Sequence, residues 1–234
     1  MTQLSIQAHD LSVRFKDRLL FHIPNLVLGP QDAIYLTGDN GVGKTTLLKV
    51  LSGLQKPTTG SINLAKHSLL RRLFCAQSNS GIIYMHQTPY MFDGSVLDNV
   101  SYGLKFTIRE RRKRRTEAIN ALRMVGLETL ADEHISVLSG GERQRVAMAR
   151  AWVIKPSVLL MDESSASLDS ESINRLVVLC QDLLARGTSL VITSHQKNAL
   201  TDLCRRQWTI SDSKLIERAE LQLVDEDNNT YAYA

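Results

Sequence analysis

One string limits the possible folds of this chain more than any other: Gly38-Asp39-Asn40-Gly41-Val42-Gly43-Lys44-Thr45, which fits G-x-x-x-x-G-K-[ST]. The apolar run Ala33-Ile34-Tyr35-Leu36 before it reads as a buried strand. The stretch 44–52 after it reads as a helix closed by Gly53. Strand, glycine loop, helix is the arrangement in which backbone N–H groups converge on a phosphate at a helix N-terminus. In that arrangement Lys44 adds a point charge for β- and γ-phosphates, and the Thr45 hydroxyl is placed for Mg²⁺. The bland alternative is a glycine-rich turn, and the flanking strand and helix argue against it. The loop by itself indicates a nucleotide and not an enzyme class.

The rest of the chain repeats the strand–loop–helix order. The first thirty residues read as extended: Leu4, Ile6 and Ala8 alternate with polar residues, as do Leu11, Val13 and Phe15, and Asp17-Arg18 reads as a turn. Ile82-Ile83-Tyr84-Met85 reads as another strand, Val158-Leu159-Leu160-Met161 as a central parallel strand and Leu190-Val191-Ile192-Thr193 as a further buried strand. Residues 95–134 read as helical, with Ala118, Ile119, Leu122 and Val125 on one face, and residues 139–154 as a further helix. This order predicts an α/β fold with a mainly parallel sheet and a helical insert between two of its strands. At 234 residues, 43% hydrophobic and 22% charged, the composition excludes collagenous, coiled-coil and disordered classes.

Val158 to Met161 lead straight into Asp162-Glu163. Ligands of open α/β sheets bind at the carboxyl ends of strands, so two acids there are placed for chemistry. Asp162 is predicted to hold Mg²⁺ directly or through water. Glu163, pointing away from Asp162 by strand alternation, is predicted to take a proton from a water attacking the γ-phosphate. Farther back, Leu138-Ser139-Gly140-Gly141-Glu142-Arg143-Gln144-Arg145 opens a helix with a good N-cap and two glycines whose amides are open to an anion. One nucleotide cannot use both helix starts of a single subunit. A two-fold dimer, each copy completing its partner's site, resolves this.

LSGGERQR resembles the signature of the ATP-binding cassette (ABC) ATPases, and the resemblance runs over about residues 3–218 with the family's landmarks in order. It implies a P-loop NTPase with a parallel sheet core, an N-terminal antiparallel β-subdomain and a helical subdomain. The implied division is 1–94 and 155–218 for the catalytic core, 95–154 for the helical part, and 219–234 for a polar tail. It further implies that Phe15 stacks on adenine and that residues 38–45 with Thr46 hold the phosphates. Gln87 is implied to reach Mg²⁺ and the lytic water. Ser139, Gly140 and Gly141 would contact the nucleotide across the dimer, Asp169 would belong to the D-loop, and His195 would contact the γ-phosphate. The sequence departs from the family at Ser164-Ser165-Ala166-Ser167, and it lacks the usual glycine after the strand near Ser61 to Leu64.

The implied cofactors are ATP and Mg²⁺. The implied partners are a second copy of the chain, a transmembrane permease subunit and an extracytoplasmic substrate-binding protein. The place implied is the cytoplasm, at the inner face of the cell membrane. The expected system is an importer, with tungstate or molybdate as the cargo suggested by resemblance. The alternative is a soluble cassette ATPase serving repair, cluster assembly or translation. Residues 73–92, the longest stretch without Asp, Glu, Lys or Arg, include Gln77, Ser78, Asn79, Ser80, Gln87 and Pro89 and are too polar to span a bilayer. No signal peptide and no added regulatory domain after Asp212 are expected, and residues 217–234 read as a polar tail. Cys75, Cys180 and Cys204 fit a reducing compartment and no metal site. Tyr90, Met91, Phe92, Val96 and Leu97 are either core or a landing place for a membrane subunit. The basic run 109–115, broken only by Glu110, is either a solvated helix face or a patch for an anionic surface. With no aromatic interleaved, and a net charge of only +4, nucleic acid is not expected.

Overall fold

The computed structural model describes residues 4–66, 81–166 and 168–219. The segment at 66–80 whose path the sequence leaves open lies outside these residues from 67 onward, as do Cys75, Ser167 and the tail beyond 219. Two sheets form. In the smaller, β1 (Leu4–Phe15) lies between β2 (Arg18–Leu28) and β4 (Thr59–Lys66), antiparallel to both. The larger has β3 (Ala33–Thr37), β5 (Ile82–Met85), β6 (Val158–Asp162), β7 (Ser189–Thr193), β8 (Arg206–Ser211) and β9 (Lys214–Ala219). Its order is β5-β6-β7-β3-β8-β9, parallel except for the last pair.

The apolar strand runs are explained by burial on both faces. In β6, Val158 and Leu160 join one core cluster while Leu159 and Met161 join another. In β3, Ile34 and Leu36 face the first cluster and Ala33 and Tyr35 the second. The first cluster lies between the two sheets and takes in Leu47, Leu48, Val50 and Leu51 of α1 (Lys44–Leu51). The second is shared with α2 (Val96–Ser101), α3 (Arg111–Met124), α4 (Gly140–Ile154) and α5 (Ser170–Ala185). Each fully buried leucine in such a layer contributes about 1.5–3 kcal/mol of transfer free energy. The large sheet is therefore a middle layer held from both sides, and its strand ends are fixed platforms.

Three expectations need correction. Residues 217–219 are not tail: they pair with β8 as an edge strand, where only one face needs apolar side chains. The β1–β2 turn is Lys16-Asp17, and Arg18 already belongs to β2, paired with Phe15. A register shift between Val13 and Arg14 breaks the alternation, so Val13 is buried while Phe15 is 68% exposed.

Candidate active site

Four parallel strands end on one edge: β3 runs into the glycine loop, β5 ends just before Gln87, β6 ends at Asp162, and β7 ends two residues before His195. The glycine loop is built for backbone, not side chains. Gly43, at the N-cap of α1, has φ 116°, and the helix start carries no side-chain cap and no acid in its first turn. Gly38 has φ 142°, and a Cβ there would stand 2.6 Å from the Ile210 carbonyl oxygen. Both positions need glycine. The Lys44 ammonium folds over the loop, donating to the carbonyls of Gly38 at 2.6 Å and Asp39 at 3.1 Å. Asn40, Gly41 and Val42 complete the turn, and Thr46 lies in the first turn of α1.

Thr45 meets β6 across the edge: its Oγ1 donates to Asp162 Oδ1 at 3.2 Å. Asp162 is only 4% exposed, yet its carboxylate is well supplied with donors. Thr193 Oγ1 lies 3.1 Å from the same Oδ1, and the Tyr84 hydroxyl donates to Oδ2 at 2.7 Å. A hydroxyl and a carboxylate this close, at the mouth of the glycine loop, form a hard-oxygen pair that suits Mg²⁺. Those residues fit the ion.

Glu163 is turned by its backbone rather than by strand alternation. It lies one residue beyond β6 with φ 49°, a left-handed conformation unusual for glutamate. Such strain is typical of functional positions and costs of the order of 1–3 kcal/mol. The surroundings hold it: its amide donates to Thr193 Oγ1 at 2.9 Å. Its carboxylate Oε1 is 2.9 Å from His195 Nε2. One buried hydroxyl, that of Thr193, thus touches both acids of the β6 end.

The remaining expected residues are surface features of one copy. Gln87 is exposed just past β5, outside the hydrogen-bonded cluster of Thr45, Asp162, Thr193 and Glu163. Phe15 is exposed at the β1–β2 hairpin, outside both core clusters. Ser139 starts α4 with a complete capping box, its Oγ accepting from the Glu142 amide while Glu142 Oε2 accepts from the Ser139 amide at 2.8 Å. Those hydrogen bonds hold the Glu142 carboxyl below its usual range. A Cβ on Gly140 would meet nothing within 4 Å, and one on Gly141 only the Leu168 side chain at 3.6 Å, so this helix start faces open space. Asp169 is also exposed and caps α5 through the Ser172 amide at 2.7 Å. Where the sequence departs from the family pattern, Ser164 and Ser165 are buried, and Asn198 Nδ2 donates to Ser165 Oγ at 3.2 Å. Sequence reasoning took Tyr84 and Thr193 as strand filler; their only signal was a polar tip within an apolar run.

Beside the β5 end lies an apolar groove of about 370 Å³ between Ile83, Tyr90, Phe92, Tyr102, Arg150 and Ile154. Arg150 stands over the Phe92 ring at 5.5 Å and donates to the Tyr90 carbonyl at 3.0 Å, and burial lowers its pKa. The apolar cluster divides here: Val96 is core, and Tyr90 is 74% exposed. In the basic run, Arg115 pairs with Asp132 at 3.0 Å, Arg114 binds the carbonyls of Ile108 and Arg109, and Arg109, Arg111, Arg112 and Lys113 are exposed. No described helix is long and apolar enough to cross a membrane.

A family profile described as ABC transporter matches residues 21–166. The chain belongs to this family. The ABC chain is 32% identical over 227 residues to "Methionine import ATP-binding protein MetN 1" of Lactiplantibacillus plantarum, covering 93% of this chain and 64% of that one. It is 30% identical over 202 residues to "Methionine import ATP-binding protein MetN" of Helicobacter hepaticus, covering 84% of this chain and 57% of that one. It thus spans 64% and 57% of the length of these two relatives. Among solved structures it resembles cbiO1 of Clostridium perfringens, described as part of the ABC transporter complex cbiONQ. That match has TM-score 0.75 and 25% identity, over 92% of this chain and 88% of the other. The fold is also that of the ATP-binding cassette MJ0796, solved as a dimer in a post-hydrolysis state bound to ADP and Pi. There the TM-score is 0.76 at 24% identity, over 92% of this chain and 98% of the other.

Proposed function

We propose that this chain binds and hydrolyses ATP as the motor subunit of an importer whose membrane-spanning permease is a separate protein. The observation that carries this reading is the convergence at one sheet edge of Thr45, Asp162, Glu163 and His195, held at hydrogen-bond distances beside a glycine loop. The amides of residues 38–46 bind the phosphates, and Lys44 leaves its two loop carbonyls for them. Phe15 stacks on the adenine from its exposed place on the hairpin. Thr45 and Asp162 would hold Mg²⁺, with Gln87 joining from the β5 end, and the ion would supply positive charge to offset that of the phosphates. Glu163 accepts the proton of the attacking water, and His195 orients that carboxylate and reaches the γ-phosphate.

Ser139, Gly140 and Gly141 face away into open space and serve the nucleotide of a second copy, with Asp169 at the same junction. The solved dimer of the MJ0796 cassette supports this arrangement. The groove beside β5 receives a segment of the permease. An extracytoplasmic binding protein would deliver the cargo, and the chain would sit at the inner face of the membrane. In this reading residues 1–94 and 155–218 form the catalytic core and residues 95–154 the helical part. The names of the relatives support import of methionine and lend no support to tungstate or molybdate. The soluble-cassette alternative has no observation in its favour.

Glu163→Gln tests the reading. It is expected to keep nucleotide affinity within about twofold while lowering turnover by about 10²–10⁴-fold. Turnover near the wild-type rate would remove Glu163 as the base.

A further inference from the structure

The carboxylate of Asp162 has two oxygens in two different settings. Oδ1 meets the hydroxyls of Thr45 and Thr193 at 3.2 and 3.1 Å. Oδ2 meets the Tyr84 hydroxyl at 2.7 Å, the shortest of the three contacts and, among the described residues, the one hydrogen bond on that oxygen. Tyr84 belongs to β5, next to β6, in register with Leu160. Its ring packs against the core cluster that includes α1 and sits edge-on to His86 at 5.4 Å. The phenol is therefore placed by the sheet and not by a mobile loop.

A carboxylate at the end of a strand can turn about its Cβ–Cγ bond. Fixing one oxygen fixes what the other presents. We propose that Tyr84 is a positioning residue for the metal: its hydroxyl pins Asp162 Oδ2, so that Oδ1 faces Thr45 Oγ1 as a preformed pair of oxygens for Mg²⁺. Thr193 supports the same orientation from the far side and ties it to the backbone of Glu163. Partners that orient metal ligands in this way are worth about 10–100-fold in metal affinity.

This inference rests on the reading of Asp162 as a metal ligand, and the test separates the two. The affinity of the full-length chain for a non-hydrolysable ATP analogue is measured in EDTA and then against rising free Mg²⁺. Tyr84→Phe is expected to match wild type within about twofold in EDTA. The Mg²⁺ concentration for half-maximal gain should rise about tenfold or more. In an Asp162→Asn background the same substitution should produce no further shift. If Asp162→Asn moves the Mg²⁺ curve and Tyr84→Phe leaves it in place, or moves it to lower Mg²⁺, the positioning role is wrong. If Asp162→Asn leaves the curve in place, the metal reading fails first and takes the inference with it. A merely structural role for Tyr84 would lower the melting temperature and weaken binding in EDTA and in Mg²⁺ alike, which also overturns the proposal. Should Tyr84→Phe fold poorly, 4-fluorophenylalanine at position 84 fills the phenol's volume without a hydroxyl and carries the same test.

Discussion

Two helices of this molecule begin with glycines, and they begin differently. α1 starts at Gly43 with no side-chain cap and no acid in its first turn. α4 starts at Ser139 with a closed capping box in which the Glu142 carboxylate binds the Ser139 amide and hydroxyl. The first leaves its donors to whatever enters the loop, and it sits where the sheet edge supplies Asp162, Glu163 and His195. The second satisfies part of itself, keeps Gly140 against open space, and has no acid–histidine pair of its own chain described beside it. In the proposed reading the bare helix start beside hydroxyls and carboxylates is the nucleotide site, and the self-capped start on a free face is half of a second one that another copy completes.

The comparison breaks most decisively at Ser139. Ser139→Arg places a bulky cation on the free face of α4 and is expected to lower ATP turnover about hundredfold or more, the scale of losing a transition-state donor. Nucleotide affinity of the dilute single chain should stay within about twofold. A weaker monomer affinity, in an equilibrium titration, would put Ser139 in its own chain's site. At the bare start, Lys44→Ala should weaken ATP by about 10–100-fold, the scale of a charge-assisted contact to phosphate. Unchanged affinity in the same titration would mean that the loop holds something other than a triphosphate.

The smallest expected effect concerns the self-capped start. Glu142→Ala opens the capping box and should cost about 1 kcal/mol of folding stability at neutral pH. Folding lowers the Glu142 pKa through its hydrogen bonds to Ser139. Its contribution is therefore present above the ordinary glutamate pKa and is lost as pH falls through the lower, folded value. Denaturant melts of the two proteins should differ at pH 7 and converge in acid. A gap that widened in acid would contradict the cap.

Most of this contrast is visible in the sequence, because both glycine strings and the acids after Met161 are local patterns. The strands Ile82–Met85 and Val158–Asp162 follow from runs of apolar residues that only a sheet buried on both faces requires. The direction of Glu163 is not visible, because its left-handed backbone is set by Thr193, thirty residues downstream. The outward turn of Phe15 depends on a register shift, and the edge strand Lys214–Ala219 looks like a polar tail until β8 is beside it. Tyr84 and Thr193 are hidden for the same reason. Their hydroxyls have meaning only once β5, β6 and β7 lie side by side.

The two helix starts belong to one reaction only if two copies meet face to face. The measurement that tests this most directly is the solution mass of Glu163→Gln, by sedimentation or light scattering, without nucleotide and with Mg²⁺-ATP. The expected result is a single chain alone and twice that mass with ATP, reverting to one chain when Ser139→Arg is added. A Glu163→Gln chain that remains single at saturating ATP, while the wild type hydrolyses ATP at a rate independent of protein concentration, would contradict the account.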